Sequence, residues 1–245
     1  MRLLVICQYF FPEQFRVNDI CFELAKQGHD VTVLTGLPNY PKGIVPSEYK
    51  WLKKRHEEIN GVKVLRTSLI GRGKTALTLA LNYLSFTISS AFKALSLENK
   101  YDVILVYQLS PVTMAIPGIL LKKRFKKPLL LYCHDLWPES IVSAGISDKG
   151  LVYRLLLKLS RWIYRSSDQI ITSSKQFEEY FKEPLEIEKK IDHLPVYAES
   201  LFEQIKSTTE LKDTIDLVFA GNVGEMQSVE TIIHAANELK ELSHI

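Results

Sequence analysis

Residues 3–35 read LLVICQYFFPEQFRVNDICFELAKQGHDVTVLT and contain a complete strand, helix and strand pattern. Leu3 to Cys7 is a continuous apolar run, which is typical of a parallel strand covered on both faces. The apolar residues that follow recur at helical spacing and form one stripe: Val17, Ile20, Cys21, Leu24 and Ala25. Gly28 then stands where helices commonly end, and Val31 to Thr35 supplies the next strand. The stretch therefore predicts a parallel β–α–β unit.

The same alternation continues along the chain. Further strands are predicted at 62–67, 103–107, 129–133 and 169–172, and helices at about 75–97, 112–123, 151–166 and 175–181. Repeated strand and helix units of this kind specify an α/β fold with a doubly wound, Rossmann-like parallel sheet.

The pattern also predicts where this domain ends. Residues 1–181 form the predicted first domain, and residues 182–213 are a polar linker in which only 191–196 could form an edge strand. A new strand at 215–220, a tight turn at 221–224 and a helix at 229–242 follow. One strand and one helix cannot bury their own faces, so 214–245 is interpreted as an incomplete second Rossmann-like domain.

Composition excludes several functional classes. Hydrophobic residues make up 46% of the chain and charged residues 24%, as in ordinary folded proteins. A net charge of +3 is too small to indicate a nucleic-acid partner. Cys7, Cys21 and Cys133 lie in apolar segments without CxxC spacing, so buried thiols in a reducing cytosol are favoured over a metal site or a nucleophile.

The loop after the first strand, QYFFPEQFRVND at 8–19, lacks the GxGxxG that brings a backbone close to a pyrophosphate. A bound NAD or FAD is therefore disfavoured. Arg16 and Asn18 could meet a phosphate at the start of the helix. Alternatively, Asn18 and Asp19 cap the helix.

Two more loops leave predicted strands at the same edge of the sheet. TGLPNYPKG at 35–43 is rigid enough for a pocket wall or for a structural turn. CHDLWPES at 133–140 is more informative, because open α/β sheets bind ligands at the carboxyl ends of their strands. His134 titrates near neutrality, and Asp135 beside it could orient the ring or influence its charge. The pair is either catalytic or structural.

Two segments indicate contact with a membrane surface. Residues 75–92 carry no charge, but six Ser or Thr residues and one Asn favour a buried or surface-lying helix over a membrane span. The helix at 151–166 places Arg154, Lys158, Arg161 and Arg165 among Leu and Trp residues. This pattern is typical of a helix facing anionic lipid, although a solvated basic face would look the same.

Four ordered motifs carry a family resemblance: YFFPEQFRVND, GHDVTVLTGLPNYPKG, HDLWPES and FAGNVGEMQSVETIIHAA. They resemble the retaining nucleotide-sugar glycosyltransferases of family 4, which have the GT-B fold. The similarity is greatest to the branch that builds O-antigen, capsule and other exopolysaccharide units on a lipid carrier. It covers essentially the whole chain.

The resemblance implies an acceptor-binding first domain and a donor-binding second domain, with catalysis between them. His134 and Asp135 would be catalytic, beside the reacting sugar. The acceptor side would comprise Tyr9, Glu13, Arg16, Asn18, Asn39, Tyr40, Trp137 and Glu139. The donor loop would comprise Gly221, Asn222 and Gly224.

The resemblance also implies substrates and a location. A nucleotide sugar would serve as donor substrate, no metal or cofactor would be bound, and a polyprenyl-diphosphate-linked sugar would be the acceptor. The enzyme would act at the cytoplasmic face of the cell membrane. The family's donor-binding basic residues and paired glutamates have no counterpart within these 245 residues. A second hypothesis, a non-catalytic acceptor-side module, therefore stays open.

Overall fold

The computed structural model describes residues 1–142, 147–198, 217–221, 223 and 227–240. Within these residues, eight strands form one sheet. They are β1 (Arg2–Ile6), β2 (Asp30–Gly36), β3 (His56–Ile59), β4 (Val62–Thr67), β5 (Val103–Gln108), β6 (Leu129–Cys133), β7 (Gln169–Thr172) and β8 (Ile191–His193). Their order is β3-β4-β2-β1-β5-β6-β7-β8.

The sheet is parallel except at one edge. Every neighbouring pair runs in the same direction apart from β3 and β4, which are antiparallel. The chain adds β2 and β4 on one side of β1 and then crosses to add β5, β6, β7 and β8 on the other. The switch point therefore lies between β1 and β5, where open α/β sheets bind their ligands.

Helices connect the strands. They are α1 (Arg16–Lys26), α2 (Ala76–Leu95), α3 (Ile116–Phe125), α4 (Glu139–Val142), α5 (Leu151–Ser166), α6 (Phe177–Lys182) and α7 (Val229–Glu238). One core cluster joins Val5 and Val33 of the sheet to Cys21 of α1. The other joins Ile6 to Ile119 of α3 and Tyr164 of α5. The predicted doubly wound α/β fold is confirmed.

The sequence did not predict β3 or α4. The β3 segment is HEEI, whose charged residues hide the usual alternation, but such residues suit an exposed sheet edge. The possible edge strand at 191–196 is present as β8. Residues 217–220 form no strand in the structure, whereas the helix predicted from 229 begins there as α7. Residues 215 and 216 lie outside the described residues.

The described residues divide into two compact units. The first extends to Pro195 and contains the whole sheet, and the second begins at Val196 and contains α7. The segment expected to be a linker thus contributes β8 to the first unit. The remaining predicted boundaries stay predictions.

Helix α2 buries polar side chains together with Phe86 and Ala94, and it exposes large apolar ones. Its buried positions include three polar residues: Asn82, Thr87 and Ser90. Its exposed positions form an apolar stripe: Leu77, Leu81, Leu84, Ile88, Phe92 and Leu95. Thr75 caps the helix through the backbone N–H of Thr78. Among the described helices, none has the combination of length and apolarity needed to cross a bilayer.

All three cysteines are buried and unpaired, as the sequence predicted. Burial raises the pKa of the Cys7 and Cys133 thiols to about 12. Both are therefore protonated at neutral pH, which makes them poor nucleophiles.

Candidate functional site

The loops at the carboxyl edge of the sheet contain most of the predicted site residues. The β1 loop carries Tyr9 and Glu13, and the β2 loop carries Asn39 and Tyr40. The β6 loop carries His134. Because β2, β1, β5 and β6 are parallel neighbours, these loops stand side by side.

Glu13 joins the first two loops. Its Oε1 accepts the backbone N–H of Asn39 at 2.8 Å and that of Tyr40 at 2.6 Å. Only 6% of Glu13 is exposed. Burial raises the pKa of its carboxyl group to about 7, against the lowering effect of these hydrogen bonds. The structure therefore places Glu13 in the wall that supports the predicted acceptor side, with its carboxylate turned inward.

Asn18 fixes the backbone of the β1 loop. Its Oδ1 accepts the N–H of Phe11 at 3.1 Å, and its Nδ2 donates to the Glu13 carbonyl at 2.7 Å. The expectation that Asn18 caps α1 is wrong, because the helix begins at Arg16 with Phe15 in the cap position. Asn18 lies within the first turn of α1, and its side chain reaches back to the loop.

Asn39 belongs to a buried polar network beneath the loops. Asn82 of α2 donates to Asn39 Oδ1 at 3.2 Å and to the Ile70 carbonyl at 2.6 Å. Asn82 Oδ1 accepts from Gln8 Nε2 at 2.7 Å. Asn39 Oδ1 also accepts the backbone N–H of Arg72 at 3.1 Å. The network ties α2 to the loops that follow β1, β2 and β4.

An aromatic cluster covers this network. The Tyr9 and Phe15 rings stack with their centroids 5.2 Å apart, and Tyr40 tilts against both. Tyr9 is 4% exposed, whereas Tyr40 is 39% exposed. The Arg72 guanidinium lies 5.7 Å from the centre of the Tyr40 ring. Of the predicted acceptor residues, Tyr40 thus presents a ring at the surface, with a half-buried cation near it.

His134 packs against two tyrosine rings that also contact each other. Its centroid is 4.2 Å from that of Tyr107 and 4.1 Å from that of Tyr132. The expectation that it titrates near neutrality is wrong, because burial lowers the pKa of the imidazole to about 4. Its Nε2 is buried and has no hydrogen-bond partner among the described residues. At neutral pH the ring is therefore uncharged and keeps one nitrogen unused.

Asp135 forms a hydrogen bond with Ser110 and not with His134, the predicted partner. Its carboxylate accepts a hydrogen bond from Ser110 Oγ at 2.9 Å, and Ser110 Oγ accepts in turn from Trp137 Nε1 at 3.0 Å. The predicted orientation of the His134 ring by Asp135 is therefore not seen. Trp137 is 7% exposed and packs in the core, so it supports the β5 and β6 loops from below.

The two remaining predicted acceptor residues lie at the starts of helices. Glu139 begins α4 and accepts a hydrogen bond from Tyr153 of α5 at 2.6 Å. Arg16 begins α1 and forms an ion pair with Asp19 at 3.4 Å. On the predicted donor side, Gly221 is exposed in the second unit, and Asn222 and Gly224 lie outside the described residues.

The basic helix α5 is partly neutralised. Arg161 and Arg165 form ion pairs with Glu186 at 3.0 and 3.3 Å. Arg154 and Lys158 are exposed. Half of the predicted basic face therefore binds this protein's own 183–187 segment.

Comparison with known proteins now decides the family. The model for the glycosyl transferase 4-like domain matches residues 14–196. The chain belongs to this family. The match begins after Tyr9 and Glu13 of the β1 loop and includes the loops that follow β2, β4, β5 and β6. The resemblance drawn from the four sequence motifs is confirmed.

Two relatives are bacterial proteins named as glycosyltransferases. The chain is 26% identical over 261 residues to the putative colanic acid biosynthesis glycosyl transferase WcaI of Escherichia coli, covering 98% of this chain and 63% of WcaI. It is 29% identical over 136 residues to the probable glycosyltransferase WbjE of Pseudomonas aeruginosa, covering 52% of this chain and 34% of WbjE. The chain thus spans less than two thirds of either relative.

A solved structure shares the fold. A sucrose-phosphate synthase from Thermosynechococcus elongatus superposes with a TM-score of 0.52 at 17% identity, covering 80% of this chain and 90% of that one. This likeness agrees with the predicted Rossmann-like first half of a GT-B fold.

Sequence reasoning missed several residues that build the site. Gln8, Asn82, Tyr107 and Ser110 are buried or hydrogen-bonded beneath the loops. Asn82 carried a usable signal, since an amide within an otherwise apolar helix needs a polar partner when buried. Tyr107 and Ser110 carried none, because their roles depend on which strands are neighbours.

Proposed function

We propose that the protein is a retaining glycosyltransferase of bacterial surface polysaccharide synthesis. It moves a sugar from a nucleotide diphosphate, bound as substrate without a protein-held metal, to a polyprenyl-diphosphate-linked acceptor. The family match over residues 14–196 carries the proposal. The names of WcaI and WbjE support it.

His134 is the proposed contact to the reacting sugar. It follows β6, which is separated from the switch point by one strand, β5. Its lowered pKa keeps the ring neutral at pH 7, so it offers a hydrogen bond to a sugar hydroxyl rather than a positive charge. The flanking Tyr107 and Tyr132 rings hold its plane in place.

The acceptor side is proposed to lie over the aromatic cluster. Tyr40 and Arg72 present a ring and a guanidinium at the surface, and Glu13 fixes the backbone that carries Tyr40. An aromatic face suits the apolar side of a sugar ring, and a guanidinium suits an acceptor diphosphate. If Tyr40 and Arg72 contact the acceptor, Asn18 and Asn39 act only as supports of the loops.

We further propose that the protein works on the cytoplasmic membrane face. The exposed stripe of α2 offers six large apolar side chains. The loop KWLKKR at 50–55 lies on the same unit, with Trp51 88% and Leu52 77% exposed among basic residues. Exposed apolar side chains flanked by cations are typical of surfaces that enter the headgroup region of anionic membranes. Arg154 and Lys158 of α5 add positive charge.

Transfer is tested with labelled nucleotide sugars and a polyprenyl-diphosphate-linked oligosaccharide, comparing the wild type with His134→Ala. Loss of a hydrogen bond made in the transition state should lower kcat by about tenfold or more. His29→Ala is the matched control, because His29 lies at the amino end of β2. Equal rates for the wild type and His134→Ala would remove His134 from the mechanism.

Donor binding is measured separately by calorimetry with uridine and guanosine sugar nucleotides. Heat of binding supports the transferase. Absence of donor binding, together with retained binding of the lipid-linked sugar, would instead favour the non-catalytic acceptor-side module.

A further inference from the structure

A cavity of about 480 Å³ lies on the flank of the sheet, beside β3, β4 and the second half of α2. None of the predicted site residues lines it. Leu52 and Phe92 contribute apolar atoms, and both side chains are more than two thirds exposed. The cavity therefore opens beside apolar side chains of the α2 stripe and of the 50–55 loop.

Four of the nine residues that line the cavity have basic side chains. They are Arg55, His56, Arg66 and Lys93, and no carboxylate lines the cavity. Lys93 Nζ lies 3.5 Å from His56 Nε2, so two basic side chains meet in the cavity wall. Arg66 is held by Glu57 at 2.9 Å and by the Phe11 carbonyl at 2.7 Å. Within the part of the chain that the structure describes, neither Arg55 nor Lys93 forms an ion pair with a carboxylate.

Arg55 has unused donors. Its Nε and Nη1 are buried, and neither has a hydrogen-bond partner among the described residues. One guanidinium nitrogen of Arg66, Nη1, is in the same condition. Buried donors without acceptors are costly, and charged ones more so. Burial without a counter-ion also lowers the pKa of Arg55. Both arginines line the cavity, so an anion bound there would place a counter-charge beside them.

We propose that this cavity is a phosphate-binding site, in which Arg55 and Lys93 hold the oxygens of a phosphate group. A guanidinium presents parallel donors that match two phosphate oxygens, and an ammonium adds a mobile point charge. The apolar rim of Leu52 and Phe92 suits a phosphate carried on a lipid, whereas free phosphate needs only the cations. The site stands apart from the sugar-transfer reaction and does not depend on it.

Two binding measurements test the site in the 245-residue protein. Calorimetry with inorganic phosphate and with pyrophosphate detects a free ligand. Sedimentation with phosphatidylcholine vesicles, with and without phosphatidic acid, detects a lipid-borne one. The variants are Arg55→Gln and Lys93→Gln, and the control is Lys26→Gln, whose side chain is exposed on α1 across the sheet. Circular dichroism checks that each variant folds.

We expect each variant in the cavity to weaken binding by about tenfold or more, and Lys26→Gln to leave it unchanged. Binding of the soluble ions that the cavity variants weaken identifies a site for free phosphate. Binding only to phosphatidic acid vesicles, weakened by both cavity variants, identifies a lipid phosphate. The proposal is overturned if neither form binds, or if both cavity variants bind as the wild type does. Sugar transfer is not part of either readout, so loss of the transferase proposal would leave this test intact.

Discussion

The Oε1 of Glu13 accepts the backbone N–H of Tyr40 at 2.6 Å, so a side chain from the β1 loop fixes the backbone of the β2 loop. The two loops are the front wall of the proposed acceptor site. Their geometry therefore depends on one buried carboxylate.

The stability of the protein should depend on pH through Glu13. Burial raises its pKa from 4.5 to about 7 in the folded state, so the folded protein binds this proton more tightly than the unfolded chain does. The free energy of unfolding should then fall as pH rises from about 4.5 to about 7. Glu13→Gln retains the acceptor oxygen but cannot ionise. Urea unfolding across pH 4–8 should show the wild type losing stability relative to Glu13→Gln in this window. If the difference in unfolding free energy between the wild type and Glu13→Gln stayed constant across this range, the raised pKa of Glu13 would be contradicted. Glu98→Gln serves as the exposed control.

His134 should give the opposite dependence. Burial lowers its pKa from 6.5 to about 4, so the unfolded chain binds this proton more tightly. The free energy of unfolding should fall as pH decreases from about 6.5 to about 4. His134→Phe keeps an aromatic ring against Tyr107 and Tyr132 but has no titrating group. It should remove the contribution of His134 to the pH dependence of stability. His193→Phe, at an exposed position, should show the same dependence of unfolding free energy on pH as the wild type. The expectation fails if the unfolding free energies of His134→Phe and the wild type differ by the same amount at every pH.

Asn82→Leu should destabilise the protein although leucine suits a helix. The change removes hydrogen bonds to Gln8, Asn39 and the Ile70 carbonyl and leaves their polar atoms buried. Its cost should be about 2–4 kcal/mol in urea unfolding. Asn99→Leu, at an exposed position after α2, should change stability by no more than about 0.5 kcal/mol. Similar values for both variants would show that the network contributes little.

The α2 stripe should govern binding to vesicles. Leu84→Gln with Ile88→Gln should weaken flotation with anionic vesicles by about tenfold or more, because each side chain loses apolar area that lipid would cover. Stability should change little, since both side chains are about half exposed.

Two comparisons make this flotation test specific. Leu194→Gln, also half exposed, removes an apolar side chain elsewhere and should have no effect. Arg154→Gln with Lys158→Gln tests the contribution of α5. Unchanged flotation in the α2 variant would refute a membrane role for the stripe, and a loss confined to the α5 variant would assign the contact to that helix.

The sequence predicted the fold well because its signals are local. The apolar run at Leu3 to Cys7, the stripe from Val17 to Ala25 and the turn at Gly28 each define an element without knowledge of the rest. β3 escaped prediction because its identity as a strand comes from pairing with β4.

The site was predictable in position but not in detail. The loops at the carboxyl ends of the strands follow from topology, and His134 lies there as expected. The pKa of His134 does not follow from topology, because burial lowers it. The tyrosine rings that pack against His134 come from two different strands, β5 and β6. Likewise Asp135, which follows His134 in the sequence, accepts a hydrogen bond from Ser110 in the loop after β5. Adjacency along the chain was a poor guide to which side chains meet.

The polar side chains that α2 buries have a consequence for folding specificity. A helix that docks through leucines can rotate or slide by a residue at modest cost, since apolar contacts are not directional. Asn82 instead has three acceptors and donors at fixed positions, and Thr87 adds a bond to Thr113 at 2.9 Å. Turning α2 about its axis would break these bonds at once. The buried amides and hydroxyls thus select one orientation of the helix and leave its leucines free to face outward.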